Sequence, residues 1–176
     1  GLSSAAVFAA LSKQLPKEAV VAVDVGNNTY SFGRYLEAGR HSVLMSGYLG
    51  SIGFGYPAAI GAWAAAPGKP IVAVTGDGGF AQYMAVVTTA VCHHMNITHV
   101  LLNNRELGKI SKEQRAAHYP IWQTGLANPN FADFVSSCGG LGIRVESTEA
   151  LDEALALALA HDGPATVEVM TDPELI

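Results

Sequence analysis

Apolar residues Val7, Ala10, Leu11 and Leu15 recur at helical spacing behind Ser3 and Ser4. That pattern predicts a capped amphipathic helix near the start of the chain. Residues 20–23 form a short buried-strand run that ends at Asp24, and Gly26-Asn27-Asn28 predicts a turn. Residues 41–46 predict a second strand. Pro57 stands near the start of an alanine-rich helix to about Ala66, which Pro67-Gly68-Lys69-Pro70 breaks. Residues 71–75 are a fully buried strand by composition. Gly76-Asp77-Gly78-Gly79 follows, with a helix over 80–94 and a strand over 97–102 that ends at Asn103-Asn104. A polar helix covers 106–117, and 119–129 is a loop with Pro120, Trp122 and Gly125. Helix 130–137, strand 143–146, helix 148–160 and strand 165–170 complete the pattern.

Strands alternating with helices predict an α/β fold: a doubly wound, mostly parallel sheet of about six strands with helices on both faces. No linker, repeat or low-complexity stretch interrupts residues 1–176, so they are read as one domain. In such sheets ligands bind beyond the carboxyl ends of the strands. The two most polar strand ends are Gly76-Asp77-Gly78-Gly79 and Asn103-Asn104.

Composition narrows the setting. Charged residues make up 14% of the chain, against about 25% in an ordinary domain. Part of the surface is therefore expected to lie under a partner domain or subunit. The formal net charge is −5 with Lys and Arg scattered, which argues against nucleic acid. No apolar run is long enough for a transmembrane segment. Cys92 and Cys138 lie in apolar helical patterns and are expected to be reduced core thiols, which favours a cytoplasmic protein. The chain opens on Gly1 and not on Met, which is read as the mark of a fragment of a larger enzyme.

The chemistry sits in the turn after Thr75. Three glycines surround one carboxylate directly before a helix. Glycine lets backbone approach a ligand closely, and free N–H groups at a helix start suit phosphate. Asp77 would repel a phosphate unless a cation lay between them. Mg2+ is the natural choice, because it takes oxygen ligands and shares its shell with phosphates. Asn104 can supply a neutral oxygen and a nearby backbone carbonyl a third. Asp77 is taken to lie on a surface turn, so that its loss should leave the fold intact. The two residues are 27 positions apart (104 − 77), an interval filled by one helix and one strand. GDG followed by NN at this spacing is the thiamine diphosphate motif.

The chain resembles the diphosphate-binding domain of thiamine-diphosphate enzymes of the pyruvate oxidase and acetolactate synthase superfamily. Residues 46–114, from SGYLGSIGFGYPAAIG through TGDGGF to LNNRELGKISKEQ, carry the resemblance. The last segment looks most like quinone-dependent pyruvate dehydrogenases and pyruvate oxidases. The resemblance implies that Asp77, the Asn104 side chain and the Glu106 backbone carbonyl ligate the metal. It implies that Gly78 and Gly79 offer N–H groups to the diphosphate with Gly76 also binding the cofactor, and that Ile52 is the apolar wedge between the cofactor's rings. The Gly50 carbonyl would accept from the cofactor's amino group. Glu113 aligns with an acidic residue that faces the thiazolium, whereas Lys109 departs from the aromatic residue some oxidases carry.

The same resemblance implies that the ring-activating glutamate lies outside this chain, on a pyrimidine-binding domain of the same or another subunit. The parent is then expected to be a homo-oligomer acting on a small 2-oxoacid, pyruvate first. It would use thiamine diphosphate and Mg2+, with FAD on a separate domain if the parent is an oxidase. Peripheral membrane association of the parent is compatible with that reading. The alternatives are an acetolactate-synthase-like carboligase, a small subunit of a two-chain decarboxylase, or a non-catalytic module of the same fold. A more distant rival is a dinucleotide-binding dehydrogenase domain, because Gly53-Phe54-Gly55-Tyr56-Pro57-Ala58 imitates a dinucleotide fingerprint upstream of Asp77. His93-His94 and the two tryptophans, Trp63 and Trp122, are read as a helix-end pair and as packing or interface residues.

Overall fold

Short runs of Val, Ile, Ala and Leu satisfy both faces of a strand only when an apolar layer covers each. The computed structural model, which describes residues 1–175, places six strands in one sheet, the inner four buried and the two edges less covered. They are β1 (Val20–Val23), β2 (Ser42–Met45), β3 (Ile71–Gly76), β4 (Ile97–Asn103), β5 (Leu141–Val145) and β6 (Ala165–Met170). The spatial order is β2-β1-β3-β4-β6-β5, and every pairing is parallel. Among the described residues eight α-helices accompany them, α1 ahead of β1 and the rest between strands: α1 (Ser4–Gln14), α2 (Asn27–Tyr35), α3 (Gly55–Ala65), α4 (Asp77–Tyr83), α5 (Val87–Cys92), α6 (Gly108–Ala116), α7 (Phe131–Ser137) and α8 (Leu151–Ala160).

Side chains alternate across a strand, and two cores result. Val72 and Val74 of β3 join Phe8, Leu11, Phe32 and Leu155 on the face covered by α1, α2 and α8. Ile71 and Ala73 join Tyr56, Phe80, Val87 and Phe131 on the face covered by α3, α4, α5 and α7. The doubly wound parallel sheet expected from the pattern is the fold. Strand order reverses between β1 and β3, so the crevice for a ligand opens beyond Val23 and Gly76.

Local departures have identifiable causes. The turn expected at Gly26-Asn27-Asn28 is the start of α2. Its sequence, NNTYSFGRY, has Arg34 as its one strong helix former, and tertiary contacts hold it. The Asn28 amide and Thr29 hydroxyl donate to the Asp24 carbonyl, and Phe32 meets Phe8 edge to face at 6.0 Å. The single helix expected over 80–94 is three pieces: α4, a 3-10 turn at Met84–Val86, and α5. A β-branched run, Val86-Val87-Thr88-Thr89, lowers helix propensity there. The helix expected from 106 begins at Gly108, and β5 starts two residues earlier than expected because Leu141 pairs with Ala165.

The cysteines are not both core residues. Cys138 is half-buried against the α3–α7 core, but Cys92 is exposed at the end of α5. Trp63 packs on the same core, whereas Trp122 is exposed. His93 and His94 end α5, as expected.

Candidate functional site

Asp77 opens α4 at the end of β3, and Asn104 follows the last residue of β4, the next strand in the sheet. Register pairs Gly76 with Leu102, which sets the two strand ends side by side. Asp77, Asn104, Glu106, Ile52 and the glycines Gly76, Gly78 and Gly79 all line one cleft of about 280 Å³. Asn27 and Asn28, at the start of α2, line its other wall. The motif thus closes into one concave site at the point where strand order reverses.

Asp77 is not on a surface turn: it is 3% exposed. Its Oδ1 accepts from the Gly78 N–H at 3.0 Å. Its Oδ2 accepts from the Arg105 N–H at 2.7 Å and from Asn128 Nδ2 at 2.7 Å. Burial pushes this carboxyl above its ordinary range, and the bonds from Asn128, Gly78 and Arg105 pull it back. All these donors are neutral, and among the described residues no Lys, Arg or His pairs with Asp77. A cation bound beside it would compensate the ionised form further.

Asn104 is half-buried, and its Oδ1 accepts from the Glu106 N–H at 3.2 Å. The Glu106 carbonyl accepts from the Gly108 N–H at 2.9 Å, which leaves a second lone pair. Between them Arg105 takes a left-handed backbone, φ 60°. A non-glycine residue persists there only when its surroundings hold it. The holders are Asp77 and Asn103, which both accept from its N–H. One carboxylate, one amide oxygen and one carbonyl oxygen are hard donors suited to Mg2+. Among the described residues no group of three or more His, Cys, Asp or Glu side chains could hold a metal.

Two residues essential to this geometry carry no signal in the motif. Asn128, in the loop before α7, ties Asp77 to Asn103. Asp24, at the end of β1, is 1% exposed, and its Oδ1 accepts from Val25, Gly53 and Phe54 N–H groups at 2.7, 2.8 and 3.1 Å. Those bonds anchor the segment that follows Ile52. The same bonds remove the dinucleotide reading of Gly53–Ala58, since N–H groups a diphosphate would need are held by a buried carboxylate. A Cβ on Gly79 would collide with Asp24 Oδ2, so only glycine allows β1, α3 and α4 to meet here.

The thiamine pyrophosphate enzyme, C-terminal TPP binding domain, family matches residues 24–169. The chain belongs to this family. It is 38% identical over 169 residues to YdaP of Bacillus subtilis (strain 168), named as thiamine pyrophosphate-containing, covering 96% of this chain and 29% of that protein. It is 30% identical to the catabolic acetolactate synthase of Raoultella terrigena, covering 94% of this chain and 30% of the synthase. It is 30% identical to sulfoacetaldehyde acetyltransferase of Alcaligenes xylosoxydans xylosoxydans, covering 96% and 29%. Among solved structures, the thiamine diphosphate-dependent 4-hydroxybenzoylformate decarboxylase of Rhodococcus jostii RHA1 superposes with a TM-score of 0.89 at 24% identity. That match covers 98% of this chain and 33% of the decarboxylase, and shows a shared fold. The chain thus spans about 30% of the length of the curated relatives named here.

For a thiamine-diphosphate-binding domain, the remaining residues fall into place unevenly. Ile52 is 37% exposed on the rim of the cleft. Gly50 is exposed in the preceding turn and does not line the cleft. Glu113 stands apart: it is exposed on α6, pairs with Lys109, and borders a neighbouring groove with Tyr30, Arg34 and Lys112. Lys109 borders both spaces and lies 5.5 Å from the centre of the Tyr30 ring. No helix of the described residues is long and apolar enough to cross a membrane.

Proposed function

We propose that this chain is the diphosphate half of the active site of a 2-oxoacid-decarboxylating enzyme that acts on pyruvate. The observation that carries the proposal is Asp77, a buried carboxylate with only neutral partners, facing a cleft beside Asn104. Mg2+ held by Asp77, Asn104 Oδ1 and the Glu106 carbonyl would supply the missing charge and receive the diphosphate. Backbone at Gly76, Gly78 and Gly79 and the amides of Asn27 and Asn28 would border its oxygens. Ile52 would shape the cofactor from the rim. When bound, thiamine diphosphate supplies a carbon nucleophile and an electron sink for loss of carbon dioxide from a 2-oxoacid. The chain's own residues bind, orient and keep water from the diphosphate end.

The other half of the site would come from a pyrimidine-binding domain beyond this chain. An apolar surface precedes Ile52 in the chain: Tyr48 is 97% exposed and Leu49 80%. The edge strand β2 is exposed along Val43, Leu44 and Met45. Such a contiguous patch suits an interface within a homo-oligomer. Glu113 would have to leave its pair with Lys109 and the neighbouring groove to act at the reacting end.

The segment NNRELGKISKEQ favours an oxidase, with FAD on another domain. The names of two relatives, an acetolactate synthase and an acetyltransferase, favour a carbon-transferring enzyme. One assay divides them. The full-length protein is given pyruvate, thiamine diphosphate, Mg2+ and FAD, with and without an electron-accepting dye. Dye-dependent acetate marks the oxidase, and dye-independent acetolactate marks the carboligase. Pyruvate left unconsumed under both conditions contradicts the proposal.

A further inference from the structure

Behind the metal ligands runs a second line of polar groups that the motif does not include. Glu168, near the end of β6, is fully buried. Its Oε1 accepts from Asn103 Nδ2 at 2.7 Å, and its Oε2 accepts from the Ala132 N–H of α7 at 3.0 Å. Arg144, its register partner on β5, reaches Oε1 with Nη1 at 3.3 Å. A carboxylate only accepts, so it fixes which end of the Asn103 amide faces it. Asn103 Oδ1 must then point forward. There it accepts from the Arg105 N–H at 3.2 Å and from Asn128 Nδ2 at 3.0 Å. These two donors are also the ones that bond Asp77 Oδ2. Asn103 and Asp77 thus hold the same pair of N–H groups between them.

We infer that Glu168 is a positioning residue for the metal site, acting through Asn103 and Asn128 on Asp77 and on the strained Arg105 backbone between Asn104 and Glu106. This rests on the reading of Asp77 as a metal ligand. The chain of contacts Glu168–Asn103–Asn128–Asp77 spans three adjacent strand ends and the loop before α7. A buried carboxylate is costly to keep, and a packing role could be filled by an apolar residue. Here its acceptor-only character sets the direction of every amide down the line. Outer partners of metal ligands typically cost about 10- to 100-fold in metal affinity when removed.

The test uses the full-length protein, with thiamine diphosphate held constant and Mg2+ titrated, binding being read by calorimetry. Glu168→Gln keeps the volume but sets a donor against either Asn103 Nδ2 or the Ala132 N–H. Asn128→Ala removes the bridge from a half-buried loop position outside the sheet and helices, and circular dichroism checks its fold. Both variants are expected to need about ten-fold or more Mg2+ for half-saturation, with full cofactor stoichiometry restored at excess Mg2+. A loss of binding-competent protein at every Mg2+ concentration would mean that Glu168 only supports the fold, and would overturn the inference. So would wild-type Mg2+ dependence in Asn128→Ala. Asp77→Ala serves as the control. If it also binds with unchanged Mg2+ dependence, the metal reading itself fails. If it alone loses binding, only the positioning role fails.

Discussion

Asp77 shows how far a single residue could be read and where reading stopped. Residue type, flanking glycines and distance to Asn104 single it out as the proposed metal ligand, because those features are local in sequence. Its burial and its bond to Asn128 are not, since 51 residues separate the two. Asn128 and Asp24 escaped for that reason: an isolated Asn or Asp in a loop has many ordinary uses. Ile52 was legible only through the resemblance, and its position on the cleft rim fits a residue that shapes a ligand more than one that grips it. Ile52→Ala is expected to lower kcat by at least ten-fold while changing cofactor affinity by less than about three-fold, since shaping acts on the reacting state. Steady-state kinetics beside a cofactor titration measures both. Equal turnover in the two proteins would make Ile52 a packing residue.

At the scale of elements, hydrophobic period located the strands well, because a parallel sheet buried on both faces demands unbroken apolar runs. It missed α2, which depends on bonds to Asp24 and on Phe8 and not on propensity. Asp24 is the joint between β1, α2 and α3. Asp24→Ala removes the shared acceptor for Gly53 and Phe54, so their amide hydrogens are expected to exchange at least ten-fold faster while those of β4 keep their protection. Hydrogen exchange with mass spectrometry resolves the two segments. Unchanged protection at Gly53 and Phe54 would show that the segment after Ile52 is held otherwise.

The centre of the sheet carries a second element-scale device. His99 of β4 lies fully buried between Thr75 at 2.8 Å and Thr166 at 3.1 Å, with the Phe80 ring centre 4.5 Å away. Burial pushes its imidazole down from 6.5 to about 3. Between those values the unfolded chain binds the extra proton, so its stabilising contribution is present above pH 6.5 and lost as pH falls toward 3. Asp24, held up by burial, acts in the opposite sense on acidification. His99→Gln should therefore flatten the acid limb of the stability profile by up to about 1.4 kcal/mol per pH unit. Urea unfolding at stepped pH tests this; parallel limbs in the two proteins would exclude it.

At the scale of the whole molecule, a low charge fraction and a parallel α/β pattern pointed to a domain with a covered face. Tyr48, Leu49 and the β2 edge are exposed, and are the surface proposed for that face. What would lie across it was not legible, because in the proposed arrangement the deciding residues belong to another segment. Residues 1–176 alone are expected to consume pyruvate no faster than free cofactor and Mg2+, and to self-associate through the apolar face. Turnover above that background by the purified chain would refute the half-site account. The most direct measurement is a calorimetric titration of thiamine diphosphate into the full-length protein, with Mg2+ and with a metal chelator, for the parent and for Asp77→Ala. The account predicts tight binding only for the parent with Mg2+, with a loss of about 100-fold or more in the other three cases, beyond what an outer partner costs. Equal affinity in the parent with and without the metal would contradict it.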